Sequence, residues 1–297
     1  MNEPLLLIGW LLVGHLTADF VLQTDGSVAD RRGSGPRARR ALALHALVVA
    51  ACMAPFWVAF GTPGLAALLV VALPHPLIDV AKARLTDRVL AGLDTNAWTP
   101  WPAALFLVDQ AVHLALILGV WWVLLRDAAL NPWFVDRMVP ATSGIAAVDL
   151  HRAAVMAVVG WSLLVINVRA ARFFVPLLLP PEVGSGGTVA ARQPPATSYS
   201  VKLGPFAGRI EPDRLETVET SDNVGATVGI LERLLVVTLI LGGAELGIGL
   251  VVAAKTLARF KQLDERAFAE KYLVGTLASV TVAVASALAA KVILGGI

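Results

Sequence analysis

Apolar positions fall along this chain in long blocks, with polar residues gathered between them. Crossing a bilayer as a helix takes about 20 largely apolar residues. Six segments meet or approach that length: roughly 4–23, 41–60, 103–125, 152–169, 229–254 and 272–294. A seventh, about 64–83, is apolar as far as Leu73 and then carries Pro74, His75, Pro76, Asp79 and Lys82. It reads as a kinked span, and the backbone groups freed by proline place it against protein and not lipid. The fold class this predicts is all-α, a polytopic transmembrane helical bundle of six or seven spans. The first segment opens Met-Asn-Glu-Pro without a basic region and is interrupted by His15 and Asp19, so it reads as a span and not as a signal peptide.

Composition agrees. Hydrophobic residues make up 57% and charged residues 15%, with a mean hydropathy of +0.73. A soluble domain carries about 45–50% apolar and about 25% charged residues. The 24 basic residues exceed the 22 acidic ones by only two and are scattered, which argues against a nucleic-acid partner and leaves membrane lipids as the expected one. A lone cysteine, Cys52, excludes a disulfide framework and a multi-thiolate metal site.

Around 182–227 the chain turns rich in Gly, Pro and Ser. The expected division is therefore a five-span N-terminal bundle (1–170), a polar linker or extramembrane loop (171–227) and a two-helix transmembrane hairpin (228–297). Gly225 with Gly229, and Gly243 with Gly247, give the hairpin small faces for close packing and for a homo-oligomer.

The positive loops set the expected orientation. Arg31, Arg32, Arg37, Arg39 and Arg40 follow the first span, and Lys82, Arg84 and Arg88 follow the third. Both loops then face the cytoplasm. The later half conflicts with this. Basic residues occupy both 170–227 and 255–271, and a single span between them cannot leave both inside. Either the stretch around 173–181 re-enters or the rule fails there.

Ionisable side chains within spans are expensive and mark function by default. Four of five histidines lie in or at the edge of spans, and three have an acid four positions away: His15 with Asp19, His75 with Asp79, and His113 with Asp109. Four residues bring a helix round by about 400°, so each pair shares a face. Chain direction and motif order reverse together. All three acids consequently fall nearest the cytoplasm, with all three histidines one turn deeper and His45 at a similar level.

Imidazole and carboxylate without thiolate suit zinc, manganese or iron. The expected metal ligands are His15, Asp19, His45, His75, Asp79, Asp109 and His113, enough for one divalent ion with outer partners or for two. Asp19, Asp79, Asp109 and Lys82 are the candidate catalytic groups, and Gln23 and Gln110 extend the polar faces. A paired-metal site would suit phosphoester chemistry. The leading expectation is a metal-dependent hydrolase acting on a lipid or lipid-phosphate at the cytoplasmic leaflet. Its rivals are an ion- or proton-coupled transporter, a set of structural hydrogen bonds, and a non-catalytic membrane scaffold. Glu245, central to the span expected at 229–254, is a separate candidate.

The run Gly14-His-Leu-Thr-Ala-Asp-Phe-Val-Leu-Gln23, then His45, His75-Pro-Leu-Ile-Asp-Val-Ala-Lys82 and Asp109-Gln-Ala-Val-His113, resembles a bacterial family of polytopic membrane proteins, domain of unknown function 3307. Leu231-Glu-Arg233, Ala253-Ala-Lys255, Arg259-Phe260 and Glu270-Lys-Tyr-Leu-Val-Gly-Thr276 are similar to the hairpin commonly attached to it. The resemblance implies an integral inner-membrane protein and no particular reaction.

Overall fold

The computed structural model describes residues 4–33, 35–91, 98–142, 147–179, 199–203, 206–210 and 221–295. Six helical runs among them are long and apolar enough to cross a membrane: Pro4–Val21, Pro36–Phe60, Thr62–Val89, Trp101–Leu125, Asp149–Leu177 and Arg266–Leu294. The chain is a multi-pass, helical membrane protein. Its outward faces are apolar, with Leu47, Leu77, Val123, Leu250 and Val292 all exposed, as a lipid environment requires.

In chain order, α1 (Pro4–Leu16) passes into a π-helical turn at Thr17–Val21, and the short α2 (Asp25–Arg32) follows. Next come α3 (Pro36–Phe60), α4 (Thr62–Ala72), α5 (His75–Ala91) and α6 (Trp101–Val120), then α7 (Pro132–Thr142) and α8 (Ala147–Val165). Further π turns follow α6, at Trp121–Leu125, and α8, at Ile166–Ala170, the latter leading into α9 (Ala171–Phe174) and a 3-10 turn over Val175–Leu178. The helical path thus runs unbroken through 173–178, where re-entry was one of the two expectations. Most of the expected linker lies outside the described residues. Within it, β1 (Tyr199–Leu203) and β2 (Phe206–Ile210) form an antiparallel pair with Tyr199 opposite Ile210.

Two local features shape the N-terminal bundle. Helices α3 and α4 form a tight hairpin in which a Cβ on Gly64 would lie 1.8 Å from the Phe56 carbonyl oxygen, so only glycine permits the approach. The expected kink is real: α4 ends at Ala72, and a turn through Leu73 and Pro74 restarts the helix at His75. Proline has no N–H to continue the ladder, and the amides of Leu77 and Ile78 bond back to the Pro74 carbonyl. The break turns His75 inward, where it is fully buried.

The span expected over 229–254 is not one rod. Helix α10 (Ser221–Leu241) ends in a turn where Gly243 has φ +73°, and α11 (Gly247–Ala258) runs back beside it. Glu232, midway along α10, pairs with Lys255 near the end of α11, which fixes the antiparallel course. Helix α12 (Arg266–Leu294) then runs parallel to α10, as Arg233 meets Ser279 and Glu245 meets Lys291. The hairpin enters and leaves at one end of the bundle. A chain that doubles back here removes the charge conflict, because the stretches flanking α10 and α11 no longer need opposite sides. Gly243 consequently belongs to the turn while Gly247 opens α11, so the two do not share one helix face. Glu245 sits in the same turn, half exposed, not at the centre of a span.

Candidate metal centre

Four helices deliver the layer. His15 comes from α1, His45 from α3, His75 from the first position of α5, and His113 with Asp109 from α6. Asp19 lies in the π turn after α1, where the Leu22 amide reaches back five residues to the Thr17 carbonyl. Such turns are frequent at functional sites because the extra residue re-aims a side chain. This one is pinned from α8 and the π turn after it: Trp161 Nε1 donates to Thr17 Oγ1 at 2.9 Å, and Arg169 Nε to the Phe20 carbonyl at 2.9 Å.

All seven sequence-proposed ligands meet in one contact network. His75 Nε2 lies 3.0 Å from Asp19 Oδ1 and 3.0 Å from His45 Nε2, and His45 Nε2 lies 3.5 Å from the same Asp19 oxygen. Asp79 Oδ2 is 3.4 Å from His45 Nε2. Adjacent ligand atoms around a tetrahedral zinc with bonds of about 2.0–2.1 Å sit about 3.3 Å apart. The triangle of His75, His45 and Asp19 has edges of that size.

Proton supply makes the same point. One N–H at His45 Nε2 can serve only one of the three acceptors around it, Asp19, Asp79 and His75. A cation among them would satisfy all of these lone pairs together.

A second group adjoins the first. Asp79, Asp109 and His113 each place a ligand atom within 4.8 Å of the others. His113 Nδ1 lies 2.9 Å from the Asp109 main-chain oxygen, and a carbonyl only accepts, so Nδ1 carries the proton. Nε2 is left with a bare lone pair, buried and without a hydrogen-bond partner. A backbone acceptor behind the ring is the usual support of a ligating histidine. Asp109 Oδ1 and His75 Nδ1 are likewise buried and unpartnered, although isolated polar atoms in such places cost free energy. His15 completes the cluster, stacked on His113 with ring centroids 4.9 Å apart and its Nε2 3.4 Å from Gln110 Oε1.

Two cations flank the acids. Lys82 Nζ donates to Asp109 Oδ2 at 2.6 Å, and Gln110 Nε2 adds a second bond to that oxygen at 3.1 Å. Arg31 donates to Asp79 Oδ2 at 2.5 Å and also to Gln23 Oε1. Sequence reasoning used Arg31 only as a topology marker. No helical spacing ties it to the layer, since it arrives on the separate helix α2, whose start is fixed by reciprocal Thr24 and Ser27 capping bonds. Arg39, Arg40 and Arg84 are exposed and do not enter the network.

Asp19, Asp79, Asp109, Arg31 and Lys82 open into a cleft of about 290 Å³ that Phe20, Phe106 and Phe173 also line. In the opposite direction the path closes. One helical turn beyond His15, His45, His75 and His113 stand Leu11, Val49, Val71 and Ile117, all at most 2% exposed. Carboxylates, imidazoles and aliphatic side chains are thus stacked as successive layers. A larger groove of about 610 Å³, between α1, α8 and α12, has mainly aliphatic walls and contains no member of the layer.

Residues 6–138 match the family described as protein of unknown function (DUF3307). This stretch is a DUF3307 domain. The domain contains all seven candidate ligands together with Arg31 and Lys82, while α8 to α12 lie beyond its limits. No curated protein and no solved structure matches the chain.

Proposed function

We propose that the chain is an intramembrane metal-dependent hydrolase acting on a lipid or lipid-phosphate from the cytoplasmic leaflet, with the end bearing Arg31 and Lys82 facing the cytoplasm. The observation that carries this reading is the triangle of His75, His45 and Asp19, whose edges of 3.0, 3.0 and 3.5 Å suit ligands of one divalent ion such as zinc, manganese or iron. Asp79 stands between this group and the second one, formed with Asp109 and His113, and is the natural bridge if two ions are held.

A divalent ion supplies Lewis acidity towards an ester oxygen and activates water. The chain's own groups do the rest. Where a single ion sits on His75, His45 and Asp19, Asp109 keeps one oxygen on Lys82 and Gln110 and the other unpartnered, and Oδ1 is then the candidate general base. The aliphatic layer beyond the histidines favours a reaction chamber over a carrier, which needs a polar path through the bundle.

Elemental analysis of the purified full-length protein tests the reading. Stoichiometric metal is expected in the wild type and not in His75→Ala. A wild type without metal, or a variant that keeps it fully, overturns the assignment.

A further inference from the structure

We infer that Arg31 and Lys82 form a clamp for the phosphate-monoester group of an amphiphile, whose apolar chain lies against Phe20, Phe106 and Phe173. This inference rests on the metal reading above and names the class of substrate for that site.

Charge balance is the first argument. Asp19, Asp79, Asp87 and Asp109 line the cleft against two cations, Arg31 and Lys82, so the site as it stands carries two excess negative charges. One divalent ion among the carboxylates cancels that excess, and two ions leave two positive charges. Arg31 is only 8% exposed in its side chain and Asp109 only 2%, so surplus charge there is poorly screened by solvent and calls for an anion.

The second argument is where the cations sit. Both are held now by the carboxylates a metal would take: Arg31 by Asp79 Oδ2 at 2.5 Å, Lys82 by Asp109 Oδ2 at 2.6 Å. A second ion held by Asp79 and Asp109 would compete with those ion pairs and leave the guanidinium fork and the ammonium free within the same cleft. A planar fork beside a point charge suits a tetrahedral phosphoryl group, the fork binding two of its oxygens. Two cations together with a metal match the dianion of a monoester better than the monoanion of a diester.

The third argument is the wall. Phe20 packs 6.2 Å from both Phe106 and Phe173, and Phe106 packs 5.6 Å from Phe174, centroid to centroid. An aromatic surface along one side of a charged cleft fits a ligand that is apolar at one end. A free phosphate would leave it unused.

Binding is measured on the full-length, metal-loaded protein in phosphatidylcholine nanodiscs, titrated with phosphatidic acid or with inorganic phosphate, with metal content read in parallel. Phosphatidic acid is expected to bind, with affinity reduced about tenfold in Arg31→Gln and again in Lys82→Gln, and only partly restored in Arg31→Lys, which keeps the charge but not the fork. Metal content should stay at the wild-type level in Arg31→Gln. Metal present with phosphatidic acid binding unchanged in Arg31→Gln overturns the clamp alone, whereas a wild type without metal overturns the hydrolase reading. Inorganic phosphate binding as tightly as phosphatidic acid overturns the amphiphile.

Discussion

Two buried polar clusters lie within the spans, and they are built on opposite terms. In the C-terminal part, Arg233 donates from Nε to the Asn167 carbonyl at 2.7 Å and from NH1 to Ser279 Oγ at 3.0 Å, and the Asn167 amide reaches Ser286 Oγ at 3.0 Å. Among the described residues of that cluster, the atoms left without a partner are neutral oxygens, Asn167 Oδ1 and Thr276 Oγ1. In the histidine layer they include a carboxylate oxygen of Asp109 and the ring nitrogens of His75 and His113. A cluster whose charged donors are met by the chain itself joins helices. One that gathers four imidazoles and three carboxylates and leaves their lone pairs facing each other is short of a cation. Buried polarity alone does not identify a site; unmet demand does.

The widest separation between the clusters is expected in metal binding. His75→Ala should lower metal affinity by more than about a hundredfold, since loss of an outer partner alone costs about 10–100-fold. Arg233→Met should leave affinity within error. Equilibrium dialysis of both variants against zinc checks this, and a comparable loss in both would erase the distinction drawn above.

Next in size is the aliphatic layer. Ile117 is 1% exposed, directly beyond His113. Ile117→Ala should destabilise the fold by about 3 kcal/mol through lost burial and the cavity left behind. Unfolding in mild detergent measures it, and a loss well under 1 kcal/mol would mean that this layer is not the packed floor of the site.

Arg233→Met belongs below that. It removes two hydrogen bonds from a charged donor and also the cost of burying the charge, so a net loss of about 2 kcal/mol is expected in the same unfolding measurement.

These contrasts also show what was readable in the chain. The histidine layer was legible because a helix repeats its faces: His15 and Asp19, His75 and Asp79, and Asp109 and His113 are each one turn apart. Pro74 announced the kink for the same local reason. Arg31 was not legible, because its place depends on how α2 folds back over the cleft, a tertiary fact with no period. The return of the chain at 242–246 was hidden by hydropathy, which is high on both sides of Gly242-Gly243. Two signals did point to it: the adjacent glycines, and a charge distribution that no single crossing could satisfy.

Glu245 gives the smallest expected effect and the cleanest check on that return. Read as the centre of a span, this carboxylate would need a buried partner, and Glu245→Gln would change stability strongly. In the turn between α10 and α11 it is 49% exposed and donates nothing, accepting one bond from Lys291 Nζ at 2.9 Å. Exposed pairs of this kind contribute little, because solvent screens the attraction and two long side chains lose freedom to form it. Glu245→Gln should therefore leave both the unfolding midpoint and the metal content unchanged. A large drop in the midpoint would return Glu245 to the bundle interior, and with it the single long helix through 229–254 that the folded-back path replaces.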